Sequence, residues 1–209
     1  MKRIVLVTAA AVLTCLPVRA QVLVAPTTLV LSPQNQFGTY MVTNRTDVTQ
    51  EVTVDFRFGF PASDSSGNLF MQYEDSAAAA RYSMAKWAKA YPRAFLLPPG
   101  QQQVVRLTVR PPAGIDAGTY WSRIVTTSTP QTPPPDTAAN GVATRLVFRL
   151  EQVTTVLYRH GLATTGVALE QVRAEPRSEG AVQVFANLRR QGNSPVLGTA
   201  TLRILDAHG

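Results

Sequence analysis

Beyond residue 20 this chain has no cysteine; its only one, Cys15, lies in the first stretch. Disulfides, thiolate nucleophiles and cysteine-based metal sites are therefore excluded together for everything that follows. Histidine is almost as scarce, with His160 and His208 the two present and neither carrying a companion at ligand spacing. There is no G-x-S-x-G, H-E-x-x-H, P-loop or EF-hand pattern. Glu74 and Asp75 are adjacent carboxylates, but neighbours in an extended chain point to opposite sides and make a poor hydrolytic pair. No catalytic residue, metal ligand or cofactor is expected, and the chain does not read as an enzyme. Nor does it hold a long run of Lys or Arg, so nucleic acid is not an expected partner.

The first residues have the pattern of an export signal. Lys2 and Arg3 precede an apolar run over Ile4–Leu16, and Val18-Arg-Ala20 supplies a small residue at a cleavage point, with Gln21 next. The apolar run is too short to span a bilayer, and no stable membrane insertion is expected once it is cut after about Ala20. Leu13 and Thr14 stand before Cys15 where a lipoprotein signal carries small residues. Losing Lys2, Arg3 and Arg19 from the 20 basic residues leaves 17 against 13 acidic, a net +4.

What remains is punctuated as an all-β protein. Short runs of Val, Thr, Leu and aromatics are separated by Pro, Gly, Asn or Asp. Val22–Leu31 reads as a strand broken by Pro26, Gly38–Asn44 as a second, and Asn44-Arg-Thr-Asp47 as a turn. In Glu51–Phe58, Val52, Val54, Phe56 and Phe58 alternate with polar residues, which implies one buried face and one wet face. Pro61–Asn68 reads as a polar loop, and Ser76–Arg93 holds an alanine-rich helical turn or two. In that stretch Trp87 is expected to cap one end of the sandwich while the charges of Arg81, Lys86 and Lys89 face solvent. Gln103–Arg110 and Gly118–Thr127 are further strands, Thr129–Asn140 a proline-rich loop, and Val142–Arg159 a long last strand. Asn44-Arg-Thr46 also fits the N-glycosylation sequon, a pattern frequent by chance.

An elbow is expected over His160–Thr165, followed by strands at Val167–Ala174, Ala181–Asn187 and Gly198–Leu205. The expected organisation is thus a signal over 1–20, an immunoglobulin-like β-sandwich domain over 21–159, and the start of a second, truncated β-sandwich over 160–209.

The order of features resembles the periplasmic pilus-assembly chaperones, the PapD-like family. Thr27-Thr-Leu-Val30, Tyr40–Asn44, Pro98-Pro-Gly100 with Val105-Arg-Leu107, and Leu146–Arg159 ending in Leu157-Tyr-Arg159 carry the resemblance. It implies a periplasmic protein that binds pilus or fimbrial subunits by adding its last first-domain strand to them. The implied partners are a pilin-like subunit and an outer-membrane usher. By position, the partner-binding side chains are Leu146, Phe148 and Leu150, unless these face their own core. Where the family carries two basic anchors for a subunit's C-terminal carboxylate, this chain has Thr28 and Thr155, both uncharged. The resemblance therefore implies a weakened anchor, with Arg159 the first candidate substitute and Arg149 and Arg145 behind it. The competing reading is a structural or adhesive immunoglobulin-like module of the cell envelope with no client.

Overall fold

A computed structural model of the chain describes residues 22–131, 148–177, 180–199 and 201–203. Two sheets face each other. The first contains β1 (Val22–Ala25), β3 (Phe37–Asn44), β9 (Gln102–Val109) and β7 (Ala88–Tyr91), in the order β1-β3-β9-β7. The second contains β2 (Thr28–Leu31), β11 (Leu150–His160), β10 (Gly118–Pro130), β4 (Gln50–Arg57) and β8 (Ala94–Leu97), in the order β2-β11-β10-β4-β8. All the pairings are antiparallel except β2 with β11, which run parallel.

The expected first strand is two strands in two sheets. Pro26 cannot donate a ladder hydrogen bond, and the chain crosses at that point from the edge of one sheet to the edge of the other. Val22 and Leu31 are both buried, so the crossover closes one side of the sandwich. Alternation then fills the core: Tyr40 and Val42 from β3, Val52 and Val54 from β4, and Val105, Leu107 and Val109 from β9 meet Ile124, Val156 and Tyr158. Each such side chain contributes about 1.5–3 kcal/mol of transfer free energy. Trp87 packs at the margin of this core, its ring 4.9 Å from that of Tyr120.

Asn44 is fully buried and staples the turn that follows it. Its amide donates to the carbonyls of Val48 and Leu97, and its Oδ1 accepts from the Thr46 amide and hydroxyl. The Asn-x-Thr spacing is thus a turn device, with its side-chain nitrogen enclosed rather than offered for modification.

Two segments depart from expectation. Residues 61–68, read as a polar loop, form most of a hairpin, β5 (Phe60–Ser63) against β6 (Leu69–Gln72). The Asp64 carboxylate closes its turn by accepting from the amides of Ser66 and Asn68. Phe58, expected in the sandwich, lies past the end of β4 and joins Trp121 and Leu157 on the outer face of the second sheet. Phe60, Ala78, Ala79 and Tyr82 cover that group. Ala78, Ala79 and Tyr82 belong to the short helix α1 (Ser76–Tyr82), capped by the Asp75 carboxylate accepting from the Ala78 amide.

After β11 the chain turns into a second unit, the hairpin of β12 (Thr165–Pro176) and β13 (Val182–Gly192), with a register shift between Glu170 and Arg173. Of the strand expected over Gly198–Leu205, the described residues 198, 199 and 201–203 are outside any strand.

Candidate functional site

The site is built on the ladder between β10 and β11. Alternation sends Ile124, Val156 and Tyr158 into the core and turns Trp121, Arg123, Thr155 and Leu157 to the outer face. Opposite pairs on that face run Thr119 with Arg159, Trp121 with Leu157, Arg123 with Thr155, and Val125 with Val153.

Thr28 stands opposite Thr155 across the parallel β2–β11 pairing. The two threonines named from the sequence are therefore neighbours on adjacent strands. Beyond Thr155 on the same level comes Arg123 of β10, and beyond that Arg57 of β4. Two hydroxyls and two cations thus cross four strands in one line. Arg123 is held in place: its Nη1 donates to the Thr155 hydroxyl, and its Nε donates to the Gly59 carbonyl at 3.0 Å. The same carbonyl accepts from Trp121 Nε1 at 3.1 Å. Burial pushes the Arg123 guanidinium below the usual arginine range, and the nearby Tyr73 pulls it back up. An arginine stays charged at neutral pH through any such shift.

Sequence reasoning does not single out Arg123. A signal is present: it is the lone charge in the thirteen residues of β10. The named substitutes lie elsewhere. Arg149 pairs with Glu151 at 3.1 Å on the surface. Arg159 is exposed and lines a cavity of about 150 Å³ with Thr119, Leu157, Thr165 and Ser194. Arg145 lies outside the described residues.

The second feature is an open edge. β2 covers β11 across Thr155–Tyr158, and the Thr155 amide donates to the Thr27 carbonyl. Main-chain groups alternate in direction, so those of Val153 and Glu151 point the same way as those of Thr155. Among the described residues no strand pairs with them on that side. The side chains around this edge are mixed. Phe148 is 63% exposed and Val153 is 42% exposed, while Leu150 is half-buried opposite Ser128. Leu146 lies outside the described residues. Phe148 and Arg149 precede β11, whose first residue is Leu150, and residues 142–147 of the strand expected from Val142 lie outside the described residues.

No family model matches this sequence, and no curated protein does. Solved structures do. The E. coli chaperone DraB is similar at 12% identity over 84% of this chain and 85% of its own, with a TM-score of 0.51. A chain of the Salmonella enterica SafA pilin in complex with the SafB chaperone is similar at 13% identity over 72% of this chain, with a TM-score of 0.50. The periplasmic chaperone SfaE matches at 12% identity over 68% of this chain, with a TM-score of 0.43. This chain spans 63% of the SafA–SafB match and 58% of SfaE. At this low sequence identity the likeness is one of fold: a mostly β chain, with immunoglobulin-like sandwich sheets arranged as in the PapD-like periplasmic pilus chaperones.

Proposed function

We propose that this chain is an exported chaperone-like protein that captures a pilus- or fimbria-type subunit by accepting it along β11. The open edge carries this reading. Among the described residues no strand pairs with the outward main-chain groups of Val153 and Glu151, and an incoming strand would satisfy them at roughly 0.5–1.5 kcal/mol per hydrogen bond. Phe148, exposed just upstream, supplies an apolar side chain for the partner's groove. In this reading Leu146 and Leu150 flank it in the same role, an outer-membrane usher receives the complex, and the protein works in the periplasm after losing residues 1–20.

Arg123 completes the site. The family's basic anchors are absent at Thr28 and Thr155, but Arg123 reaches the Thr155 hydroxyl from the neighbouring strand. A guanidinium there, with the two threonine hydroxyls as further donors, suits the C-terminal carboxylate of a subunit. Arg159 then has no anchoring part.

The test is to mix the protein with a pilin-like subunit and follow amide exchange by NMR. A one-to-one complex with new protection at the amides of Glu151 and Val153 is expected. A complex that protects other strands, or no complex, overturns the reading.

A further inference from the structure

We propose that Asn193 and Arg190 lock the sandwich and the β12–β13 hairpin at a preset angle, so that a partner meets a fixed corner rather than a hinge. The proposal concerns the joint itself and holds whatever the partner is.

Asn193 follows β13 directly, and its side chain is used at every hydrogen-bonding position. Oδ1 accepts from the Thr164 amide at 2.8 Å and the Thr164 hydroxyl at 3.3 Å. Nδ2 donates to the carbonyls of Ala117 at 2.9 Å and Leu162 at 3.1 Å. Its own amide donates to the Thr164 carbonyl, and its carbonyl accepts from the Thr119 amide. One residue therefore ties together the connecting segment after β11, the loop before β10 and the end of β13. Next to it, the hydroxyls of Ser194 and Thr119 meet at 2.6 Å, both buried.

The backbone is shaped for this approach. Gly118 has φ +154°, and a Cβ there would lie 2.9 Å from the Asn193 carbonyl oxygen. Gly192 has φ +78°, and a Cβ there would collide with the Thr164 carbonyl. Glycine is needed at both places for conformation and for space.

A single clasp would still act as a pivot. A second contact, away from the first, stops rotation about it. Arg190 of β13 donates to the Tyr82 hydroxyl at 2.7 Å, and its guanidinium lies 4.8 Å from the centre of that ring. Tyr82 is itself stacked on Trp121, centre to centre 5.0 Å, so the strut ends on a fixed support. The two contacts join different parts of the sandwich to one strand of the hairpin. A corner set in advance removes the ordering cost from any later binding step.

The chemistry demands asparagine. The Asn193→Asp change would keep the acceptors but present a carboxylate to the carbonyls of Ala117 and Leu162, where donors are required. The test measures distance distributions between spin labels on the full chain carrying Cys15→Ser, with Val104→Cys in the sandwich and Leu169→Cys in the hairpin, both exposed positions. A single narrow distribution is expected for this parent. Asn193→Asp should at least double its width, and Arg190→Ala should broaden it less, while the sandwich keeps its melting temperature. Arg190 is exposed, so that variant folds even if Asn193→Asp does not. A parent distribution that is already broad overturns the proposal. So does an unchanged width in the Arg190→Ala protein, or in a folded Asn193→Asp protein.

Discussion

Arg123 and Thr155 face one another across the β10–β11 ladder, and the guanidinium donates to the hydroxyl. This contact puts a cation on the level where the resemblance implies two basic anchors and this chain has the uncharged Thr28 and Thr155. The cation comes from a third strand, so neither threonine has to supply charge.

Arg123→Gln is expected to weaken binding of a subunit with a free C-terminus by about 1.5–3 kcal/mol, the range for hydrogen bonds to charged groups. Binding of the same subunit with an amidated C-terminus should hardly change. Arg123→Lys should retain part of the effect, because a lysine keeps the charge but loses the fork that grips Gly59 and Thr155 together. Titration calorimetry with both forms of the subunit checks this. Equal losses for the two forms would mean that Arg123 only props up Gly59.

Phe148 and Leu150 should separate by the same experiment combined with thermal unfolding. Phe148→Ser removes an exposed ring, so stability should stay within about ±0.5 kcal/mol. Capture of the subunit should nevertheless fall by roughly 1.5–3 kcal/mol if the ring is buried by the partner. Leu150 is half-buried in its own strand, so Leu150→Ser should lower both stability and binding.

The strands are legible where alternation is clean. Val52 and Val54, or Val105, Leu107 and Val109, announce their buried face by period two alone. Residues 61–68 do not, because Pro61 and the Asp-Ser-Ser-Gly-Asn run dominate the local signal, while the apolar half of the hairpin, Leu69 and Phe70, lies beyond them. Thr28 and Thr155 can be named because the resemblance carries position along each strand. Arg123 cannot, since its place depends on register between strands distant in sequence. Asn193 is hidden for a related reason: it sits in what reads as an ordinary turn, and its four side-chain hydrogen bonds reach three residues in two other segments.

Asn44→Ala should be among the most damaging single changes in the sandwich. It removes two donors and one doubly used acceptor from a fully buried position, leaving the carbonyls of Val48 and Leu97 without that partner. A loss of about 2–4 kcal/mol is expected, since each buried group left unpaired costs roughly 1–3 kcal/mol. Urea unfolding measures it directly. A loss below about 1 kcal/mol would show that water reaches the turn and replaces the amide.

Thr154 presents the opposite case. Its hydroxyl is buried, on the core-facing side of β11, and is one of the described side-chain groups with no hydrogen-bond partner. Thr154→Val keeps the branched shape suited to a strand and removes the unpaired polar group. Stability should rise by about 1 kcal/mol. An unchanged or lower midpoint in urea would point to an ordered water at that hydroxyl.

Tyr40 is expected to make the fold lose stability at alkaline pH. Burial among Val42, Val105 and Thr126 pushes its phenol up to about 12, with the Thr126 hydroxyl offering a contact at 3.4 Å that pulls slightly the other way. A phenol raised in the folded state is protonated in both states below about pH 10, so stability there is full. Between about pH 10 and pH 12 the unfolded chain loses its proton first, and stability drains away by roughly 3 kcal/mol, at about 1.4 kcal/mol per pKa unit. Tyr120 and Tyr158, both raised by burial, act in the same direction. Tyr40→Phe removes the titrating group while keeping the ring. Urea midpoints at pH 8 and pH 11.5 should therefore fall steeply for the parent and distinctly less for the variant. Equal falls for both would assign the alkaline loss to the other tyrosines or to general charge repulsion rather than to Tyr40.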